Sequence, residues 1–223
     1  RLFILGCGMI TICCLKKGVR YRPYYVNKLF DMVRRNITVP YEFVCFTEDI
    51  AGIDGHIRTA PLPHDAPKWW GKMGLYKPQI EGVNTEKILF LDLDIVITGS
   101  LDPICNYESD FAMAKDYPYH YLPPNDKRQK WGNTSVVLLK VGSQSKIWEA
   151  YNQQGCPEVE RFGDQEWIYE QFYGCCDLMP ESFVQSYKLH NLAGDKIPEC
   201  SVVMFHGTPK PPDCGGWVKE LWI

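Results

Sequence analysis

Asp92 and Asp94, one residue apart inside the apolar run Ile88-Leu89-Phe90-Leu91-Asp92-Leu93-Asp94-Ile95-Val96-Ile97, carry the most chemical information in this chain. In extended backbone the two carboxylates share one face and Leu93 takes the other. Two ionised carboxylates this close repel each other, and burying either without a partner is costly. A divalent cation removes both penalties. The plainer role is a pair of aspartates bonding loop backbone at a strand end, which a bare D-x-D often does. His206 poses the same choice, since it ends an apolar run at 202–205 and opens a Gly/Pro turn whose single cation is Lys210. Asp164 precedes a helical pattern and reads as its N-cap, Asn133 as a turn residue, and Lys72 as a solvated helix residue.

Strands and helices must bring these groups together, and the apolar pattern supplies them. Residues 9–15 read as a buried strand, followed by a helix of about fifteen residues in which Tyr25, Leu29, Met32 and Val33 recur at helical spacing until 36–40 stop it. A second strand covers 41–46 and a short helix 69–80. A third strand starts at 87–90 and resumes at 95–97 beyond the aspartates. Further strands fall at 111–114, 135–141 and 202–205, with helices at 146–153 and 165–172. This βαβ order predicts one α/β domain over 1–223, with a mainly parallel central sheet flanked by helices. Met9 reads as the natural start, with residues 1–8 as upstream sequence. Open sheets of this class bind ligands beyond the carboxyl ends of their strands. That nominates Leu15, Lys16, Tyr21 and Asp49 around a nucleotide, with Tyr21 stacking on the base and Asp49 accepting from a uracil imide N–H. In their plainer roles Tyr21 packs the helix and Asp49 ends a loop.

Composition narrows the classes. Seven Trp, thirteen Tyr and ten Phe in 223 residues exclude a disordered tail, and a net charge of −3 provides no field for non-specific nucleic-acid binding. Ten Cys without any C-x-x-C pair remove zinc ribbons and thioredoxin-type sites. Most of them read as small buried hydrophobes in a reducing, cytoplasmic setting, with disulfides among Cys156, Cys200 and Cys214 as the lesser alternative. The apolar stretch 2–15 is too short to span a bilayer, so no transmembrane segment is expected. Sequons at Asn36 and Asn133 carry weight only on a secretory route.

The D-x-D stretch with its continuation Thr98-Gly99-Ser100-Leu101-Asp102-Pro103 has companions elsewhere: Trp69-Trp70-Gly71-Lys72, Asn133-Thr134-Ser135-Val136-Val137, Gly163-Asp164-Gln165 and His206-Gly207-Thr208-Pro209-Lys210-Pro211. Together they resemble nucleotide-sugar glycosyltransferases of the GT-A fold, particularly the glycogenin-like and bacterial galactosyltransferase group, over most of the chain. The resemblance implies Mn²⁺ or Mg²⁺ on Asp92, Asp94 and His206, and a diphosphate on Lys210. It also implies Asp92, Lys72 and Asn133 as donor contacts, Asp164 on sugar hydroxyls, and Gln165 near the anomeric carbon. A UDP-sugar donor, retention of configuration and a carbohydrate, lipid-linked or modified-base acceptor follow as expectations. Two other classes use the same residues: a sugar nucleotidyltransferase or phosphohydrolase built on the carboxylates, and a non-catalytic carbohydrate-binding module gripping sugar with Trp69, Trp70 and Trp131.

Overall fold

The computed structural model describes residues 8–157 and 163–223. Strand β1 (Ile10–Lys16) is followed by helix α1 (Tyr24–Arg35), whose buried stripe is Tyr25, Val26, Leu29, Met32 and Val33. Arg34 and Arg35 sit in its last turn, where cations suit the helix dipole, and the Asn36 amide donates back to the Met32 carbonyl at 2.8 Å. Next come β2 (Tyr41–Thr47), β3 (Arg58–Ala60), a 3₁₀ helix (Lys68–Tyr76), β4 (Lys87–Leu91), β5 (Ile95–Ile97), α2 (Asp102–Cys105), β6 (Phe111–Lys115) and α3 (Tyr117–His120). After a 3₁₀ turn the chain forms β7 (Gly132–Lys140), α4 (Ser145–Gln154), α5 (Asp164–Gln171), β8 (Asp177–Leu178), β9 (Val184–Ser186), β10 (Val202–Met204) and α6 (Trp217–Leu221).

Seven strands form the central sheet in the order β3-β2-β1-β4-β7-β6-β8. β1, β2, β3 and β4 run parallel, β7 is antiparallel to both β4 and β6, and β8 returns parallel to β6, so the expected mainly parallel α/β sheet is present. Both faces are covered, which is why the strands read as unbroken apolar runs rather than alternating ones. Alternation decides only which of two cores a side chain enters. Cys14, Leu89, Leu91 and Leu138 join the core under α1 and α6, whereas Cys13, Ile88, Phe90 and Leu139 join that under the 3₁₀ helix, α4 and α5. Burying a Leu or Phe of this kind contributes roughly 1.5–3 kcal/mol.

Two sequence expectations are corrected. β5 does not resume β4: the chain turns at Asp92–Asp94, and β5 pairs antiparallel with β10, which lies parallel to β9 in a separate three-stranded sheet. The helix expected at 69–80 is a 3₁₀ helix ending at Tyr76. A Cβ on its Gly74 would lie 2.5 Å from the Pro63 carbonyl carbon, so this segment presses backbone against backbone. The cysteines follow their main reading and not the disulfide alternative: all nine described are free, including Cys156, Cys200 and Cys214, and Cys13, Cys14, Cys45 and Cys105 are buried as small core residues. Among the described residues no helix is long and apolar enough to cross a membrane.

Candidate active site

A cavity of about 830 Å³ opens where β1, β4 and β6 end and β7 begins. β7 can serve this edge because it runs opposite to its neighbours, so its first residues lie beside their last. Its register against β6 jumps from Met113↔Val137 to Ala114↔Asn133, a bulge of the kind that re-aims side chains near sites. Asn133, Thr134 and Ser135 thereby line the cavity with Asp92, Asp94, Asp116, the start of α5 and the segment after β10.

Asp92 and Asp94 face the cavity from a turn between the two sheets rather than from one strand. The Asp92 N–H donates to the Ser135 carbonyl at 2.8 Å, tying the turn to the bulge. Its carboxylate accepts from Lys72 Nζ at 2.8 and 2.9 Å. Burial, helped by the charge of Asp94, raises the Asp92 carboxyl above its ordinary value against the opposing pull of Lys72. Asp94 Oδ2 accepts from the Tyr21 hydroxyl at 2.7 Å and from Lys210 Nζ, which also donates to the Phe205 carbonyl at 3.0 Å. Burial and the neighbouring Asp94 raise the Tyr21 phenol, so Tyr21 remains a donor to that carboxylate.

Lys72 is not the solvated residue that local sequence suggests. Burial alone would lower its ammonium, but the charges of Asp92 and Asp164 outweigh that and hold it above its usual value. Asp164 is not an N-cap either: Gly163 caps α5, with its N–H donating to Glu166 Oε2 at 2.9 Å, and Asp164 is the first helical residue. It is 4% exposed, burial raises its carboxyl, and its Oδ2 has no partner among the described residues. Gln165 Nε2 donates to Asp116 Oδ2 at 2.9 Å. Asn133 flanks the bulge, accepting from the Ser135 N–H at 2.9 Å, and is also a hydrogen-bond partner of Asp116.

Leu15 lines the cavity, packed where a Cβ on Gly71 would meet its Cδ1 at 3.3 Å. Lys16 and Asp49 are not brought into the lining. Lys16 is 3% exposed and donates to the Asp49 carbonyl at 3.5 Å, while the Asp49 carboxylate accepts from the Ala51 N–H at 2.9 Å in an exposed loop. Tyr21 lines the cavity, with its hydroxyl engaged by Asp94 and the Arg20 guanidinium 5.5 Å from its ring centre. His206 also lines it, but its Nε2 meets Ser186 Oγ at 2.7 Å, and burial together with Lys188 and Lys210 lowers its pKa, keeping the ring neutral.

The donor types suit a divalent cation: two carboxylates in a turn, whose mutual repulsion a cation would relieve, with a neutral imidazole on the same cavity wall. In this conformation lysine ammoniums provide that relief. Among the described residues no three His, Cys, Asp or Glu side chains gather at ligand spacing, and His206 Nε2 is engaged by Ser186. Asp116 is the functional candidate that local sequence reading misses. Burial, with repulsion from Glu166, pushes its carboxyl up to about 7. The available signal was an acid at the end of a strand, the position at which open sheets bind ligands.

No protein-family model and no curated protein matches this sequence. Solved structures do. The galactosyltransferase LgtC, in complex with donor and acceptor sugar analogs, aligns over 95% of both chains with a TM-score of 0.70 and 15% identity. GlyE of Streptococcus pneumoniae TIGR4 aligns over 95% of this chain and 59% of its own, with a TM-score of 0.69 and 14% identity. The bifunctional glycosyltransferase WbbM aligns over 92% of this chain and 47% of its own, with a TM-score of 0.67 and 13% identity. At these identities the likeness is one of fold, and the fold is of the GT-A type.

Proposed function

We propose that this chain is a nucleotide-sugar glycosyltransferase that moves a sugar from a UDP-sugar to a carbohydrate or lipid-linked hydroxyl. The observation that carries the reading is the cavity at the strand ends, where two acids and two partly buried lysines meet a third acid at the start of a helix. Lys72 and Lys210 are paired to acids now and are placed by charge to exchange those partners for a diphosphate. Asp164 accepts from sugar hydroxyls. Asp116 and Gln165, already bonded to each other, orient the reacting sugar and the acceptor. Asp92 and Asp94, with His206 turning from Ser186, would hold Mn²⁺ or Mg²⁺, which when bound offsets charge on the leaving diphosphate. An amide at Gln165 cannot form a covalent glycosyl ester, and retention with the departing phosphate taking the acceptor proton is the course that the resemblance implies. The nucleotidyltransferase and phosphohydrolase readings leave Asp164 and Gln165 without a task.

The experiment is a panel of nucleoside-diphosphate sugars incubated with the full chain, with and without Mn²⁺, reading release of the nucleoside diphosphate. Metal-stimulated hydrolysis of one UDP-sugar is expected, and NMR of the product sugar reports its anomeric configuration. Absence of both binding and hydrolysis for every sugar nucleotide would sink the proposal.

A further inference from the structure

Six buried side-chain nitrogen or oxygen atoms lack a hydrogen-bond partner among the described residues, and only two of them belong to residues lining the cavity: Trp69 Nε1 and Asp164 Oδ2. One is a donor and the other, when ionised, an acceptor. Buried polar atoms are nearly always paired, so an unmatched donor and acceptor in one cavity point to a ligand group that satisfies both. Trp69 Nε1 lies close to Gly163, the residue before Asp164. A Cβ at that glycine would lie 3.7 Å from Trp69 Nε1 and 2.7 Å from Glu166 Oε2, and Asp164 is the next residue. The missing side chain keeps the space before the indole N–H open.

Local backbone accounts for the placement of Trp69. Lys68 has a φ of 54°, the left-handed region that a residue with a side chain seldom adopts, directly before Trp69. Of the three tryptophans that could grip a sugar, Trp70 is buried against Tyr151 with ring centres 5.7 Å apart, and Trp131 packs between Tyr119 and Tyr169. Only Trp69 of the three lines the cavity.

We propose that Trp69 and Asp164 form a two-point receptor for one hydroxyl of the transferred sugar, which accepts from the indole N–H and donates to the carboxylate. The inference rests on the glycosyltransferase reading and assigns Trp69 as a specificity-determining residue. A hydroxyl fits both partners at once. A hydrogen satisfies neither, and a fluorine cannot donate to Asp164.

The test is calorimetry on the full chain with Mn²⁺, titrating UDP, UDP-glucose, UDP-galactose and their singly deoxygenated and fluorinated sugars. Trp69→Phe keeps an aromatic ring and removes the N–H. It should weaken the preferred UDP-sugar roughly 3- to 10-fold and leave UDP unchanged. Deoxygenation at one ring position should cost the wild type the most and should cost Trp69→Phe little. Equal affinity of variant and wild type for the UDP-sugar overturns the receptor while leaving the enzyme reading intact, and so does equal loss of UDP and UDP-sugar affinity. A wild type that binds UDP but gains nothing from any sugar overturns the receptor as well. One that binds neither removes the glycosyltransferase reading and this inference together.

Discussion

Asp116→Asn should make the protein more stable at neutral pH and above, by an amount that grows as pH rises from about 4 to about 7. Asp116 is 3% exposed, with its carboxyl pushed up to about 7 from an ordinary value of 3.8, chiefly by burial and then by Glu166. The unfolded chain ionises this group near its ordinary value, so between the two values the native state holds the extra proton. Stability therefore falls as pH rises through this window, and the stability present at low pH is lost once pH passes about 7. Each pH unit is worth about 1.4 kcal/mol, which bounds the effect near 4 kcal/mol, and relaxation around the site brings the expectation to roughly 2–4 kcal/mol. Asparagine keeps the shape and can still accept from Gln165 Nε2. Although Asp116 is the N-cap residue of α3, its side chain makes no cap bond there, so the helix loses nothing. The assay is reversible urea unfolding of both proteins from about pH 4.5 to pH 8. The stability difference should widen up to about pH 7 and then level off. A difference constant across that range would refute the argument, because it would mean that Asp116 has the same proton affinity folded and unfolded.

Asp94→Ala should lower turnover by roughly 10²-fold or more while leaving the circular dichroism spectrum unchanged, because the carboxylate that meets Tyr21 and Lys210 is lost but no core side chain moves. Lys210→Ala should weaken UDP binding by roughly 1.5–3 kcal/mol, the range for hydrogen bonds to charged groups, with a smaller effect on uridine; calorimetry with the two ligands reads the contrast. Gly74→Ala should destabilise by roughly 1–3 kcal/mol, because its Cβ would sit 2.5 Å and 2.6 Å from the Pro63 carbonyl carbon and oxygen, which cannot swing aside as a side chain can. A thermal midpoint matching the wild type would refute the contact. Gly71→Ala, facing the His64 carbonyl oxygen and a Leu15 methyl at 3.3 Å each, should cost less.

Local sequence determined the elements that make the sheet. The residues of β1, β2 and β4 are apolar without alternation because both faces of a largely parallel sheet are covered, and the stripe Tyr25, Leu29, Met32 and Val33 is a helix period. The same reading singled out Asp92 and Asp94, because two carboxylates within an apolar run demand a partner. Membership of the cavity was decided by contacts distant in sequence. Lys72 meets Asp92 twenty residues on, Lys210 meets Asp94 across 116 residues, and Gln165 meets Asp116 across 49. The antiparallel entry of β7 and its bulge bring Asn133 and Thr134 to the ends of β1 and β4. Strand order and bulge position are set by how whole elements pack, whereas a local pattern records only whether a residue is buried and on which face. For that reason Lys16 and Asp49, although they flank a strand end, fell outside the lining, and Asp116 and Trp69 came within it.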